Sequence, residues 1–192
     1  MSVAEISTTL NHDLMNNIVN LREYIAGAIE QRGFGPWRKR FGESYGHDTR
    51  LPDLSEKTLY LLALPGEDTA VAYYELIMGI LDLGQAAKFY YLDNPAQMKV
   101  MDIHLFLADQ VRFEMMHRLD WLDSYHCVGH TLLKMVLQFD EIKTFAKDNP
   151  PTLSVSHADY EAYKNLTTGD KEAFIRRRLR EALDSFKTRL RD

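Results

Sequence analysis

The chain has 192 residues, of which 45% are hydrophobic and 27% charged, which is the composition of one ordinary globular domain and excludes a disordered or fibrous protein. A formal net charge of −5 argues against a surface given over as a whole to nucleic acid. The single cysteine, Cys127, excludes an intramolecular disulfide and a cysteine-based zinc cage. Because no apolar run is long enough to cross a bilayer and Met1–Leu10 lacks a secretion-signal pattern, we expect a cytoplasmic protein with no membrane contact.

The first part of the chain alternates between a helical pattern and a glycine-rich stretch. Apolar residues at helical spacing predict a helix over Ala4–Gln31 that Gly33 ends. Residues 33–52 begin GFGPWRKRFGESYG, and this density of glycine, together with Pro36, predicts a loop.

Basic and aromatic side chains are interleaved in this predicted loop. Trp37, Arg38, Lys39 and Arg40 combine positive charge with a stacking ring, on a backbone that glycine would leave mobile. Such a combination predicts a site for a phosphate, a nucleotide or single-stranded nucleic acid. The alternative is a surface loop whose ring packs onto the protein while the charges stay in solvent.

The rest of the chain is predicted to be helical. The pattern gives these elements in order: a short helix capped by Asp53 or Ser55, a helix over Glu67–Leu92, a helical run from Pro95 to Lys147, a short helix over Ser156–Leu166, and a C-terminal amphipathic basic helix over 168–192. A straight helix over the run of 95–147 would be about 80 Å long, so we expect a break between Asp120 and Gly129. No convincing strand is visible. The predicted fold is all-α: a single-domain (1–192) irregular bundle of about five to seven helices with no significant sheet.

Histidines concentrate in the helical run. Asp123, His126 and His130 are spaced by three and four residues, which places them on one helical face if the helix is unbroken there. Imidazole and carboxylate together suit zinc, iron or nickel, so the spacing predicts three ligands of a divalent transition metal. The alternative is that both histidines are exposed or simply hydrogen-bonded.

A second acidic and imidazole pair lies earlier in the same run. Glu114 and His117 have the Glu-x-x-His spacing that resembles ferritin-like di-iron bundles, where it occurs twice, and Glu75 on the preceding helix is a candidate bridging carboxylate. Only one copy of the motif is present. We therefore favour an ordinary ion pair between Glu114 and Arg118 one turn further along.

Aromatic residues and methionines recur at helical spacing and are typical of core filler, although an apolar ligand pocket would use the same residues. They include Tyr73, Tyr74, Met78, Phe89, Tyr90, Tyr91, Met98, Met101, Met115 and Met116.

The last 24 residues, Gly169–Asp192, contain eight basic and five acidic residues, a net +3 in a chain whose total is −5. Such a charge run is usually a solvated face, and an acidic partner surface is the second interpretation.

The sequence contains no specific catalytic motif and leaves three functions open. Amphipathic terminal helices and the charge split favour a non-catalytic helical module that associates with itself or with another protein. The first alternative is a metal-binding bundle, or a metal-dependent enzyme, that uses Asp123, His126 and His130. The second is a protein that binds nucleic acid or a phosphorylated ligand through Arg38, Lys39 and Arg40 together with the C-terminal basic helix.

Overall fold

A computed structural model describes residues 26–191, and within them the chain is helical apart from one small sheet, which confirms the predicted all-α class. These residues form nine α-helices, more than the five to seven predicted. In chain order the helices are α1 over 26–41, α2 (Glu56–Ala63), α3 (Glu67–Ile80), α4 (Asn94–Arg118), α5 (Leu132–Leu137), α6 (Phe139–Asp148), α7 (Tyr160–Lys164), α8 (Thr168–Arg176) and α9 (Leu179–Arg189), with 3-10 helices at Leu51–Asp53 and Ala86–Tyr91. Residues 1–25, which hold most of the predicted first helix and the Met1–Leu10 segment, lie outside the described residues.

Helix α1 continues through the first part of the predicted loop, so the loop prediction for 33–52 is wrong over 33–41. Gly33 does not end the helix; it is the point where α1 contacts α3. A Cβ placed on Gly79 of α3 would lie 2.3 Å from the carbonyl oxygen of Arg32 and 2.8 Å from Cα of Gly33. Only glycine lets the two helix backbones approach so closely. Pro36 cannot donate to the carbonyl of Arg32 four residues earlier, and this is the carbonyl that meets Gly79.

The core is built around α4, which packs against α2, α3 and α9. Asp93 caps this helix by accepting from the amide of Ala96 at 2.9 Å, and Pro95 lies in its first turn, as predicted. The amphipathic pattern predicted α2 as well, where the Ser55 side chain accepts from the amide of Thr58 at 3.1 Å. Side chains from these helices and from α1 form one buried apolar cluster.

The chain breaks after α4 at the place that the length argument predicted. Asp120 has a left-handed φ of 59°, and Leu122–Ser124 (β1) then pairs antiparallel with Thr152–Leu153 (β2). The predicted run of 95–147 is therefore two helical regions with a strand and a turn between them. The small sheet is an element that the sequence did not predict.

Two further predicted helices are shorter than the pattern suggested. Helix α3 ends at Ile80 and not at Leu92, because Asp82 and Gly84 take left-handed φ values of 58° and 91°. The predicted C-terminal helix over 168–192 is two helices, α8 and α9, separated by a turn at 177–178. None of the helices within 26–191 is both long and apolar enough to cross a membrane.

Candidate functional site

The outward side of α4 presents a row of large apolar side chains along its N-terminal half. Met98, Met101 and Leu105 are 66%, 45% and 58% exposed, and their spacing of three and four residues puts them on one side of the helix. Tyr91, in the 3-10 helix before α4, is 88% exposed. We name these four residues the α4 surface. Isolated exposed apolar residues are normal, but a contiguous row marks an interaction site.

The same side of α4 is covered further along the helix. Asp109 and Arg112 continue the row, and the guanidinium of Arg176 on α8 lies 2.7 Å from the carboxylate of Asp109. Arg112 bonds Asp109 at 3.2 Å and also donates to the carbonyl of Ala63 at the end of α2. Helices α8 and α2 thus cover the C-terminal half of this side. Over 98–105 the row stays open among the residues that the structure describes.

The charges that flank the α4 surface are compensated within the chain. Lys99 forms an ion pair with Asp140 of α6, and its ammonium lies 4.7 Å from the ring centre of Phe139. Asp102 lies 3.8 Å from Lys143, which is also on α6. On the side that faces α6, these two ion pairs therefore add no net charge beside the apolar row.

A second surface feature is a cleft of about 1170 Å³ between α1, α3 and the 3-10 helix at 86–91, which we name the α1–α3 groove. Its wall contains Tyr74 and Phe89, whose rings stack with centroids 4.4 Å apart and planes 15° apart. Burial raises the pKa of Tyr74, and the neighbouring Tyr90 raises it further. Val71 and Met78 of α3 complete the apolar part of the lining.

The four residues that the sequence predicted as one ligand site do not lie together in the structure. Lys39 and Arg40 line the α1–α3 groove. Trp37 is fully buried instead, with its indole N–H donating to the carbonyl of Ala72 at 2.6 Å. Arg38 does not line the groove either, and it forms an ion pair with Glu30.

The cations of the groove are partly neutralised. Arg40 binds Glu75 through two hydrogen bonds of 2.9 and 3.0 Å, which is the main reason why its pKa is raised. Arg32 lies 3.3 Å from Asp82 at the opposite end. Glu75 is thus engaged by Arg40, and it does not approach Glu114 as a bridging carboxylate would.

The predicted metal-binding face on α4 does not exist, because the helix ends before it. Asp123 is exposed on β1, while His126 and His130 lie in and just after the turn that follows. Within 26–191, no group of three or more His, Cys, Asp or Glu side chains is placed to hold a metal ion. The break that the chain length predicted is the physical reason, since shared helical spacing means nothing across a strand and a turn.

His126 is nevertheless in an unusual environment. Both of its ring nitrogens are buried without a hydrogen-bond partner in the described part of the chain, and the same holds for Nδ1 of His130. Burial, together with the nearby His130, lowers the pKa of His126 to about 4, so its ring is neutral at physiological pH. The ring borders a polar cleft of about 690 Å³.

Glu114 has the partner that the sequence favoured. Its side chain is 2% exposed and accepts from Nε of Arg118 at 2.7 Å. Tyr125 donates to the other carboxylate oxygen at 2.7 Å, and His117 lies at 3.8 Å. The group is a buried ion pair whose hydrogen bond to Tyr125 joins α4 to the segment after β1, and within 26–191 it belongs to no cluster of three or more candidate metal ligands.

Three of the C-terminal basic residues form ion pairs with acidic residues elsewhere in the chain. Arg176 pairs with Asp109, Arg178 with Asp159, and Arg189 with Glu56. These pairs tie α8, the turn after it and α9 to other parts of the fold. Several of the basic residues are therefore structural.

Comparison with known proteins gives no match at the level of a family model, a curated protein sequence or a solved structure. The functional argument consequently depends on the geometry of the surfaces described above.

Sequence reasoning missed the α4 surface, because Met98, Met101 and Tyr91 are indistinguishable in sequence from the core methionines and tyrosines. Their helical spacing was visible. Whether another element covers such a row is decided by tertiary contacts that are distant in sequence.

Proposed function

We propose that this protein functions by association and that the α4 surface joins two copies of the chain. The observation that supports the proposal is the apolar row of Met98, Met101 and Leu105, which is exposed among residues 26–191 on a helix whose opposite side is buried in the core. Leaving such a row in water is unfavourable, and pairing it with another apolar surface removes that cost.

The size of the surface fits a dimer contact. The four side chains expose on the order of 500 Å², and about 60% of a typical interface is apolar. An apolar centre of this size corresponds to roughly 800 Å² for each partner, which is the standard value for specific protein complexes.

The charge pattern favours a second copy over an oppositely charged partner. Lys99 and Asp102, which flank the row, have opposite signs and are each compensated by α6. A two-fold axis beside Met101 would lay two α4 helices antiparallel, with the Met98 end of one row against the Leu105 end of the other. These two ion pairs add no net charge that opposes this arrangement.

The test is the molar mass in solution of the full chain and of a charged variant, measured by gel filtration with light scattering. We expect wild type at twice the chain mass and the Met98→Glu/Leu105→Glu variant at the chain mass, because the substitutions place carboxylates in an apolar contact. Val155→Glu is the matched control, since Val155 is also apolar and exposed but lies outside α4, two residues after β2.

The control variant is expected to remain dimeric. A wild-type protein that stays monomeric at all concentrations, or a charged variant that dimerises as well as wild type, contradicts the proposal.

A further inference from the structure

The α1–α3 groove has the shape of a site for an elongated ligand. It follows α3 from Glu67 to Gly79, a distance of about 18 Å at 1.5 Å per residue, and continues to Asp82 beyond the helix. Its volume of about 1170 Å³ exceeds what a compact small molecule requires. At the Asp82 end, the Arg32–Asp82 pair lies beside the close backbone contact of Gly33 and Gly79.

The opposite end of the groove is charged. Lys39 and Glu67 both line it, and neither forms an ion pair with any residue in 26–191. Lys39 lies towards the Glu67 end because α1 runs antiparallel to α3: Arg32 pairs with Asp82 just beyond the end of α3, and the indole of Trp37 donates to Ala72 nearer its start. This end therefore offers one free ammonium and one free carboxylate.

The charges of the whole lining are balanced. Three cations and three carboxylates face the groove, and two of each are used in the pairs Arg40–Glu75 and Arg32–Asp82. The carboxylate of Glu67 would repel a purely anionic ligand, and the ammonium of Lys39 would repel a purely cationic one. A head group with both signs is complementary to both residues.

Between the two ends the lining is aromatic and apolar, apart from the Arg40–Glu75 ion pair, whose charges compensate each other. The stacked Tyr74 and Phe89 form one wall, with Met78 of α3 nearby, and Tyr90 exposes its ring at the rim. Aromatic faces attract an alkylammonium group as well as an alkyl chain.

We propose that the α1–α3 groove binds one molecule of a zwitterionic amphiphile, whose charged head lies at Lys39 and Glu67 and whose apolar tail runs along Tyr74 and Phe89 towards Gly79. This function is separate from dimerisation, because the groove does not include Met98, Met101 or Leu105.

The first experiment compares four probes that share a dodecyl tail and differ in the head group. Isothermal titration calorimetry of the full chain, below each critical micelle concentration, uses dodecylphosphocholine, dodecanoate, dodecyltrimethylammonium and dodecyl maltoside. We expect one site for dodecylphosphocholine and binding about tenfold tighter than for the other three.

The second experiment exchanges the two charges. Lys39→Glu is expected to shift the preference to dodecyltrimethylammonium, and Glu67→Lys to dodecanoate. The double variant Lys39→Glu/Glu67→Lys is expected to regain dodecylphosphocholine binding to within about threefold of wild type. Lys57→Glu, on the exposed side of α2 and outside the groove, is the control and leaves all four affinities unchanged.

Steric blocking tests whether the tail occupies the groove. Ala87 lines the groove and is exposed, so Ala87→Trp fills space there without displacing the core, and it is expected to abolish binding of every probe while the fold, checked by circular dichroism, is kept. Equal binding of all four heads, or probe binding that survives Ala87→Trp, overturns the proposal. So does co-sedimentation with phosphatidylcholine vesicles without binding of monomeric dodecylphosphocholine, which would assign a bilayer surface.

Discussion

At the residue scale, the buried ion pair of Glu114 and Arg118 is the most costly group to disturb. Glu114 is 2% exposed, and Arg118 also donates to the carbonyls of Leu51 and Leu54 at 3.2 and 2.9 Å. We expect Glu114→Ala to lower the free energy of unfolding by about 3 kcal/mol, because it leaves the partly buried guanidinium without its carboxylate.

Urea unfolding measures this effect, with the exposed Glu141→Ala as a control that is expected to change stability by no more than about 0.5 kcal/mol. A loss for Glu114→Ala below about 1 kcal/mol would show that the pair contributes little.

His126 provides a pH-dependent prediction at the same scale. Its pKa in the folded state is about 4, against an ordinary value of 6.5, so the unfolded chain binds more protons between these values and stability falls as the pH drops from 6.5 to 4. We expect its contribution to be about 1–2 kcal/mol after allowance for the partial exposure of the ring. The pKa values of His104 and His130, which burial lowers, act in the same direction.

The measurement is the free energy of unfolding of wild type and His126→Gln at pH 7 and at pH 4.5. The variant is expected to lose less stability on acidification than wild type does. An equal loss in both proteins would mean that the ring is already accessible to protons in the folded state.

At the element scale, the crossing of α1 and α3 depends on one glycine. Gly79→Ala places a methyl group 2.3 Å from the carbonyl oxygen of Arg32, which is backbone and cannot rotate away. We expect the free energy of unfolding to fall by about 3 kcal/mol, because the added methyl group forces the two helices apart. Gly129→Ala is the matched control, because an added Cβ meets nothing within 4 Å there. Thermal unfolding distinguishes the two variants, and equal midpoints would contradict the close crossing.

The starts of α2 and α4 were predicted correctly because they depend on residues close in sequence. The role of Gly33 and the end of α3 were not predicted, because they depend on contacts between residues that are distant in sequence or on a backbone conformation that the sequence does not reveal. Ser55 and Asp93 cap their helices through bonds to residues three positions away, so the sequence contains the whole signal. Gly33 looks like a helix breaker, but its role depends on Gly79, which is far away in sequence. Helix α3 ends where the backbone of Asp82 takes a left-handed conformation, and nothing in the sequence distinguishes this aspartate from one inside a helix.

At the scale of the whole molecule, the candidate surfaces were only partly predictable. Lys39 and Arg40 were predicted as ligand-binding residues and both line the α1–α3 groove, but that groove is formed only together with α3 and the 3-10 helix at 86–91. The predicted metal site of Asp123, His126 and His130 was wrong because all three residues lie after the end of α4, on a strand and in a turn, where helical spacing does not bring them to one face.

The central claim, that two chains meet along α4, is tested most directly by a single cysteine at its centre. Met101→Cys lies beside the proposed two-fold axis, while the native Cys127 is buried, which raises the pKa of its thiol to about 12 and keeps it unreactive. Under mild oxidation we predict that Met101→Cys forms a disulfide-linked dimer on a non-reducing gel much faster than Val155→Cys does. Equal rates for the two variants would contradict the claim.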